Sequence, residues 1–467
     1  MPTRSQHSTR VQSHWGTTRS GWLACGALWS MLLLASSASA DDPSLVWIRQ
    51  FGSGSSDKAN SISVDALGNV FVGGSSDGNL SGINPTLSKG VVARLGTNGA
   101  ISWIKQFGQF HETTDVSADE AGNFYATGFT REDTLSDVFL RKYGSTGTLE
   151  WSREIGSNNV DRGQSVAYTS GNVFVTGYTT GTFNGQSAQS SDALFVHYSS
   201  NGSLIRSRLI GSELNELGMG VAASVTGDVY VTGTVSGTGR GADSNVFLSK
   251  VNASGDEVWK KTFGTPSSDS GRAVATDALG NIFVTGTTTG AFGGTNAGGD
   301  DGFVLKLDVL GNVVWTSQFG INGTDDAQAL AVDAAGNIYV AGSTTGNLGS
   351  TNAGQSDVFL RKLSQDGSVQ WTFQFGGSGR EEPGGISLDQ FGNVYLAGWT
   401  NGSIAEPSFG YTDMWVAKVT DITPVPEPAL LGLVAFLATP ILSARRDRCC
   451  ACNKQDEAET RKLCSLC

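Results

Sequence analysis

The chain has 467 residues, of which 63 are glycine and 39% are hydrophobic, and its formal net charge is −12. The apolar residues are grouped in strand-length runs, which excludes a disordered chain and is typical of a turn-rich all-β protein. Residues 41–444 contain 22 Lys and Arg against 39 Asp and Glu, a net charge of −17. Such an acidic surface repels phosphate backbones, which argues against nucleic acid as a partner and is compatible with cations, neutral sugars or basic proteins.

Residues 1–40 have the organisation of a secretory signal. Arg4, Arg10 and Arg19 form a basic leader, residues 21–35 are largely apolar, and Ala38-Ser39-Ala40 has the small residues of a cleavage site. The sequence therefore predicts export with removal of residues 1–40. A retained N-terminal anchor is the alternative.

Tryptophan then recurs in one fixed setting along the chain, at spacings of 48 to 56 residues with a single arginine in the series. The positions are Trp47, Trp103, Trp151, Arg206, Trp259, Trp315 and Trp371. One unit of about 54 residues is therefore repeated, and self-similarity near this length with several short strands in each unit is typical of propeller blades.

One unit, residues 315–370, indicates how each blade is built. Short β-branched and aromatic runs predict strands at 315–320, 329–332, 338–342 and 357–363, with Asp325 and Asp326 in a polar loop after the first strand. Asp333-Ala-Ala-Gly336-Asn337 suits a tight hairpin, because Asp accepts backbone hydrogen bonds and Gly adopts the left-handed conformation. Four strands per unit make one blade.

We expect seven blades in a single domain over residues 44–420, forming a monomeric ring. The last unit lacks its fourth strand, and residues 44–52 supply a matching strand at the other end of the chain. Pairing that N-terminal strand into the final blade closes the ring and leaves no exposed sheet edge there. In this arrangement the Trp strand is outermost and strands such as 60–64 line the central channel.

The repeated motifs resemble those of the SBBP β-propeller repeat family. The similarity lies in Asp357-Val-Phe-Leu-Arg-Lys, the Gly-x-x-x-Trp pair, Phe-Gly, and Asp-x-x-Gly-Asn-x-Tyr-Val-x-Gly, and it extends over residues 44–420. The resemblance implies the propeller fold and carries little information about an activity.

Residues 421–446 resemble a PEP-CTERM sorting signal. Pro426-Glu427-Pro428 is followed by 16 mostly apolar residues, 429–444, and then by Arg445 and Arg446. The resemblance implies retention in the membrane through a short helix, followed by processing by an exosortase. The arginines place the C-terminal side of that helix in the cytoplasm and the propeller outside, although about 20 residues are needed for a full span.

Residues 447–467 form a Cys-rich tail of unknown role, and residues 41–444 contain no cysteine. The propeller therefore has no disulfide, so blade packing and ring closure must stabilise it. Cys450, Cys452, Cys464 and Cys467 offer four thiolates to a zinc ion, and an extension without function is the alternative.

Six acids recur at one place in the repeat, six residues after the Phe or Ile of each Phe-Gly or Ile-Gly pair. They are Asp57, Asp161, Glu216, Asp269, Asp325 and Glu381, and in the second unit Thr113 takes the place. We name these six the repeated acids. The long Thr/Gly/Asn-rich loops emerge on the same face, and binding residues concentrate on long loops of rigid scaffolds, so this is the candidate binding face. Loop capping, calcium binding and ligand recognition are the alternatives for the acids.

Catalytic motifs are scarce. The chain has no His-Glu-x-x-His, no Gly-x-Ser-x-Gly and no phosphate-binding loop, and residues 41–444 contain only His111 and His197, both expected to be solvated surface residues. The sequence favours a non-catalytic surface or matrix protein whose partner is an exopolysaccharide or an envelope protein. An extracellular polysaccharide hydrolase or lyase is the alternative, with two carboxylates among Asp57, Asp161, Asp269 and Asp325 as its acid and base.

Overall fold

In a computed structural model of the chain, the described residues are 43–420 without 83–86, 131–134, 184, 189 and 238–242. Over this part of the chain every regular element is a β-strand. None of the described residues forms a helix that could cross a membrane. The predicted signal at 1–40, the sorting signal at 421–446 and the tail at 447–467 lie outside the described residues.

The strands form seven four-stranded antiparallel sheets, which confirms the predicted seven-bladed propeller. Blade 1 contains β2 (Asp57–Val64), β3 (Val70–Ser76), β4 (Lys89–Leu95) and β5 (Ile101–Phe107). Blade 2 contains β6 (His111–Ala118), β7 (Phe124–Thr130), β8 (Val138–Tyr143) and β9 (Leu149–Ile155). Blade 3 contains β10 (Asp161–Thr169), β11 (Asn172–Thr179), β14 (Asp192–Ser199) and β15 (Leu204–Ile210), with a small hairpin of β12 (Thr182–Phe183) and β13 (Gln186–Ser187).

The remaining blades repeat this order. Blade 4 contains β16 (Asn215–Ala223), β17 (Val229–Ser236), β18 (Ser244–Val251) and β19 (Glu257–Phe263). Blade 5 contains β20 (Asp269–Thr276), β21 (Ile282–Thr288), β22 (Asp301–Leu307) and β23 (Val313–Phe319). Blade 6 contains β24 (Asp325–Val332), β25 (Ile338–Thr344), β26 (Asp357–Leu363) and β27 (Val369–Phe375). Blade 7 contains β28 (Glu381–Leu388), β29 (Val394–Thr400), β30 (Asp413–Thr420) and β1 (Ser44–Phe51).

The innermost strands are longer than the sequence indicates. The loop predicted around Asp325 and Asp326 is wrong, because β24 begins at Asp325 and pairs with β25 from its first residue. A search for apolar runs in the sequence misses this segment because its first side chains are polar. Its backbone groups nevertheless pair with β25 as in any strand.

Every innermost strand contains a β-bulge at the same place. At the bulge, one residue of the innermost strand has no partner on the second strand. In blade 5 the register shifts between Gly271 and Ala273, so that Arg272 is the extra residue. The equivalent residues in the other blades are Asn60, Thr114, Gln164, Met219, Gln328 and Gly384. We name these seven the bulge residues. A bulge bends its strand and redirects a side chain, here toward the propeller axis.

The recurring tryptophans join neighbouring blades. The indole of Trp47 in blade 7 lies against Gly99, in the turn between the last two strands of blade 1, and its Nε1 donates to the carbonyl of Thr97 at 3.1 Å. Trp151 and Trp315 donate in the same way to Ser200 and Gln365. Arg206 takes this place once and pairs with Asp256 at 2.6 Å. The recurring tryptophans, with Arg206 in their place once, therefore mark the contacts between neighbouring blades.

The ring closes through β1, as predicted. β1 pairs with β30 from Ser44 opposite Thr420 to Phe51 opposite Met414. On the inner side, Gly384 approaches the backbone of Ala59 and Asn60 so closely that a Cβ would clash. One hydrophobic cluster therefore unites the first and last blades, combining Phe51, Tyr395, Ala397, Met414 and Val416 with Ala59, Ile62, Val70, Val72, Val91, Ala93 and Leu95.

Deleting residues 44–52 tests this closure. We expect aggregation or a loss of at least about 3 kcal/mol of unfolding free energy, because the deletion removes buried Phe51 and exposes the edge of β30. Denaturant unfolding and size-exclusion chromatography measure the outcome, with a chain that begins at residue 43 as the control. A monomeric deletion variant as stable as this control would contradict closure by β1.

Candidate functional site

The structure places the repeated acids at one position in the propeller. Each begins an innermost strand, except Glu216, which is the second residue of β16. All six side chains are buried, with at most 1% of their surface exposed. Their carboxylates therefore do not line an open surface, although they occupy equivalent places around the ring.

Each of these carboxylates accepts a hydrogen bond from the backbone N–H of the residue four positions earlier, at 2.5 to 3.3 Å. The donors are Ser53, Ser157, Ser212, Thr265, Ile321 and Gly377. Where that residue is Ser or Thr, its hydroxyl donates to the same carboxylate. The acids thus make the contacts expected of loop caps, and each one fixes the chain that enters its blade.

Blade 2 corrects one assignment made from the sequence. Asp57 lies opposite Ser76, the last residue of β3, and His111 lies opposite Thr130, the last residue of β7. His111, not Thr113, is therefore the equivalent of the repeated acids. The loop before it is two residues shorter than in blade 1, so counting from Phe-Gly selects the wrong residue. His111 Nδ1 hydrogen-bonds with the carbonyl oxygen of Gln109 at 2.9 Å, and burial lowers the pKa of the ring.

A second set of acids, missed from the sequence, faces the repeated acids from the preceding blade. Asp413, the first residue of β30, has no surface exposure and lies beside Asp57, with Gly52 between them. A Cβ at Gly52 would collide with the Asp413 carboxylate, so glycine is needed there. Asp301 faces Asp325, and Asp357 faces Glu381, in the same arrangement. The signal was available, because Asp opens the Asp-Val-Phe-Leu-Arg-Lys motif.

These carboxylate pairs are electrostatically unfavourable at neutral pH. Burial raises the pKa of Asp57, and the neighbouring Asp413 raises it further against hydrogen bonds that lower it. Burial also raises the pKa of Asp325 and of Glu381, with the same contribution from the facing aspartate. Asp413 Oδ1 and Asp301 Oδ1 accept no hydrogen bond from the described residues.

Three blades reduce this repulsion in different ways. Lys260 donates to Glu216 at 2.9 Å in blade 4. In blade 6 the buried guanidinium of Arg361 lies 4.4 Å from the ring of Phe319 and favours the ionised form of Asp325, while burial lowers the pKa of Arg361 to about 10. Asn245 replaces the facing aspartate opposite Asp269. The junction between two blades can therefore contain a cation beside the carboxylate, or an amide in place of the facing aspartate.

A recurring glutamine holds the long loop of each of four blades. Gln374 Oε1 accepts from the N–H of Gly349 at 2.9 Å, and its Nε2 donates to Gly346 O and to Asp357 at 2.9 and 3.0 Å. Gln50, Gln106 and Gln318 bind their own loops with the same pattern of amide contacts. The Gln-Phe-Gly repeat is the sequence signal for these glutamines. The candidate binding face is therefore a set of loops held in fixed positions.

The central cavity lies at the propeller axis and has a volume of about 520 Å³. All seven bulge residues line it, together with the side chains that follow them on the innermost strands. Ile62, Val221, Val274, Leu330 and Ile386 give it an apolar part. Asp115, which also lines it, accepts from the Ser61 and Ser165 hydroxyls and from two backbone N–H groups, so that it joins three innermost strands.

A second group of charged side chains lies at blades 5 to 7, where Arg272 and Asp326 line the cavity. Gln328 Nε2 donates to Asp326 at 3.2 Å and to Glu382 at 2.8 Å. Arg380 Nε donates to Glu382 at 2.7 Å. Burial raises the pKa of Asp326, which Arg272 and Gln328 oppose. Asp326 also lines an adjoining groove of about 350 Å³, together with Glu382 and Arg380.

No cluster of three or more metal-ligating His, Cys, Asp or Glu side chains occurs among the described residues. The predicted surface position of His197 is wrong, because only 5% of it is exposed and Nε2 bonds Asn172 Oδ1 at 2.9 Å. The sorting residues Pro426, Glu427, Pro428, Arg445 and Arg446 lie outside the described residues, as do the tail cysteines considered for zinc.

Comparison with a known family identifies the repeat. Residues 46–81, 258–293, 314–349 and 370–404 match the SBBP family, described as a β-propeller repeat. Each segment begins in the outermost strand of one blade. It ends in the loop that follows the second strand of the next blade. SBBP β-propeller repeats are therefore present in the chain.

The chain is also similar to several known proteins. It is 28% identical over 193 residues to the regulatory protein FlaEY of Caulobacter vibrioides, covering 38% of this chain and 20% of FlaEY. It is 24% identical over 186 residues to the uncharacterized WD repeat-containing protein L264 of Acanthamoeba polyphaga mimivirus, covering 31% and 13%. A crystal structure of a protein of unknown function from Dyadobacter fermentans has 9% identity and a TM-score of 0.46, covering 81% of this chain and 98% of that one. The chain thus spans a fifth or less of the curated relatives' length.

Replacing Asp413 with Asn tests the carboxylate pairs. A group whose pKa is raised on folding contributes stability that is lost as the pH rises through the folded pKa, so the Asp57–Asp413 pair weakens the fold most at neutral pH. We expect Asp413→Asn to add about 1 kcal/mol of unfolding free energy at pH 7, since the amide removes a charge and can donate to Asp57. The gain should shrink as the pH falls toward 4, measured by denaturant unfolding.

The reciprocal variant is the control. Asn245→Asp creates a new pair with Asp269, and it should lower the unfolding free energy at pH 7 by a similar amount. Equal stability of both variants and the parent across this pH range would contradict the electrostatic account.

Calcium tests the remaining alternative for the repeated acids. Because each carboxylate is buried and already accepts a loop hydrogen bond through one oxygen, millimolar calcium should shift the melting temperature by less than about 1 °C. The double variant Asp269→Asn, Asp325→Asn should respond to calcium no differently, and its own effect should be small because Asn caps nearly as well as Asp. A shift of many degrees that the double variant loses would instead assign a cation to these loops.

Proposed function

We propose that this chain is an exported, non-catalytic binding module of the cell surface or extracellular matrix. The observation that carries the proposal is the axial cavity, to which the blades contribute different side chains. The repeated acids, the Gln-Phe-Gly glutamines and the outer tryptophans recur because the fold needs them, whereas the bulge residues change from blade to blade. Residues that vary while lining a rigid, partly polar cavity are suited to recognition.

The two ends of the chain support export. Residues 1–40 have the features of a secretory signal, and residues 421–446 resemble a PEP-CTERM signal. In this proposal, residues 429–444 hold the protein in the membrane until an exosortase acts near Pro426-Glu427-Pro428. The partner is an exopolysaccharide or an envelope protein, which agrees with the net charge of −17 on residues 41–444.

One observation favours a second candidate, a polysaccharide hydrolase or lyase. Asp326 and Glu382 are both within hydrogen-bonding distance of one amide, Gln328 Nε2. Burial raises the pKa of Asp326, whereas Glu382 forms an ion pair with Arg380 at 2.7 Å. Acid–base catalysis by two carboxyl groups requires environments that give the two groups different pKa values. The repeated acids do not meet this requirement, because they are buried in their own loops.

Cell fractionation tests the proposal. We expect the protein in the envelope or extracellular fraction, with Asp41 as its first residue by N-terminal sequencing. A variant with Ala at 426, 427 and 428 should remain unprocessed in the membrane fraction. A cytoplasmic protein that retains Met1 would contradict export.

Binding is measured separately with the purified mature protein. Immobilised protein should retain a component of the native envelope or matrix without changing it. Release of new reducing ends or unsaturated sugars from envelope polysaccharide, lost on Asp326→Ser, would favour the enzyme over the binding module.

A further inference from the structure

The axial cavity contains charged groups whose hydrogen-bonding capacity the described residues leave unused. Arg272 forms no hydrogen bond with them, and its Nε is buried without a partner. Asp326 Oδ1 is also buried and accepts no hydrogen bond, although Oδ2 accepts one from Gln328. A buried polar atom without a hydrogen-bond partner costs free energy of folding. Such atoms beside a cavity therefore indicate that water or a ligand supplies the missing hydrogen bonds.

The two groups line the same cavity from neighbouring blades. Arg272 is the bulge residue of β20, and Asp326 is the second residue of the neighbouring β24. Arg272 is close enough to favour the ionised form of Asp326. The pair is nearly neutral as a unit, and it presents donors on one side and an acceptor on the other.

The surrounding groups are mostly neutral and polar. Gln164 forms no hydrogen bond with the described residues, and Gln328 donates to two carboxylates through Nε2 and accepts none at Oε1. On the other side of the cavity, Asp115 accepts four hydrogen bonds and Glu112 accepts one from Asn60. The Arg272 guanidinium, the Asp326 carboxylate and neutral amides lie beside apolar Val274 and Leu330.

We propose that this cavity binds a terminal sugar of a neutral saccharide, whose hydroxyl groups donate to Asp326 and accept from Arg272. A hydroxyl is both donor and acceptor, so adjacent hydroxyls satisfy a carboxylate and a guanidinium together. The C–H groups of the ring lie against the apolar residues. A volume of about 520 Å³ is within the range of small-ligand sites. The inference rests on the proposed binding function and gives it a ligand class and a place.

Two substitutions test it with residues that the ring already contains at the same positions. Arg272→Met copies Met219, the bulge residue of blade 4, and Asp326→Ser copies Ser270, the second residue of β20. Both should therefore fold, which thermal melting verifies. Arg206→Met is the matched control, because it removes an arginine on an outermost strand whose side chain pairs with Asp256.

The probes are glucose, galactose, mannose, N-acetylglucosamine, lactose and chitobiose, with glycine and lysine as zwitterionic comparisons. Saturation-transfer NMR and calorimetric titration measure binding to the mature protein. We expect at least one saccharide to bind, with affinity roughly tenfold or more weaker in Arg272→Met and in Asp326→Ser, the loss expected for a charge-assisted hydrogen bond. Arg206→Met should bind like the parent.

Three outcomes would overturn the proposal. They are no binding of any of these saccharides, saccharide binding that neither cavity variant weakens, and binding of glycine or lysine in place of sugar that requires Arg272. Retention of envelope material separates this inference from the proposed function. If the parent and Arg272→Met retain that material equally, the cavity is not the site but the binding module stands, and if the parent retains none, the proposed function itself fails.

Discussion

The structure depends on contact between blades, and the pairing of β1 with β30 makes that contact complete. A single four-stranded sheet has two faces and two edges, and it buries its faces only against neighbours. A closed ring gives every blade two neighbours, and without β1 the last blade would expose both an edge and part of its core. Phe51, Met414 and Tyr395 belong to the same cluster as residues of blade 1, so the seam is packed like the rest of the ring.

Ring closure also explains why acids are buried in pairs. Each blade begins where the chain crosses from one sheet to the next, and the backbone N–H groups of that crossing need acceptors in a place without solvent. Asp57 accepts from the backbone N–H and the hydroxyl of Ser53 in such a crossing. Asp413 ends the loop between β29 and β30, where it accepts from the backbone N–H of Phe409 and from Gln50 Nε2. The crossing and this loop meet at the same inter-blade junction, so two anions become neighbours. Local hydrogen bonding therefore outweighs their repulsion, and Lys260, Arg361 and Asn245 relieve it where they occur.

The sequence predicts features that recur and misses those that depend on register. Blade number, closure and the outermost Trp strand follow from Trp47 to Trp371, and the tolerance of Arg206 follows from the contact it makes with the next blade. Counting residues fails in blade 2, where a loop two residues shorter moves His111 into the place of the acid. The bulge residues could not be identified either, because an extra unpaired residue is visible only when two strands are aligned.

The positions that escape prediction are also the ones with freedom to carry a function. The crossings and the contacts between blades have the same geometry around the ring. The residue types that cap a crossing or pack against the next blade recur for that reason. A bulge residue has no partner on its own sheet and faces the axis, so its side chain can differ from blade to blade. Gly384 is the exception, because its close approach to Ala59 and Asn60 at the seam requires glycine. The other bulge residues are Asn60, Thr114, Gln164, Met219, Arg272 and Gln328. A repeated scaffold thus surrounds a cavity whose lining does not repeat, and Arg272 and Asp326 contribute to that difference between blades.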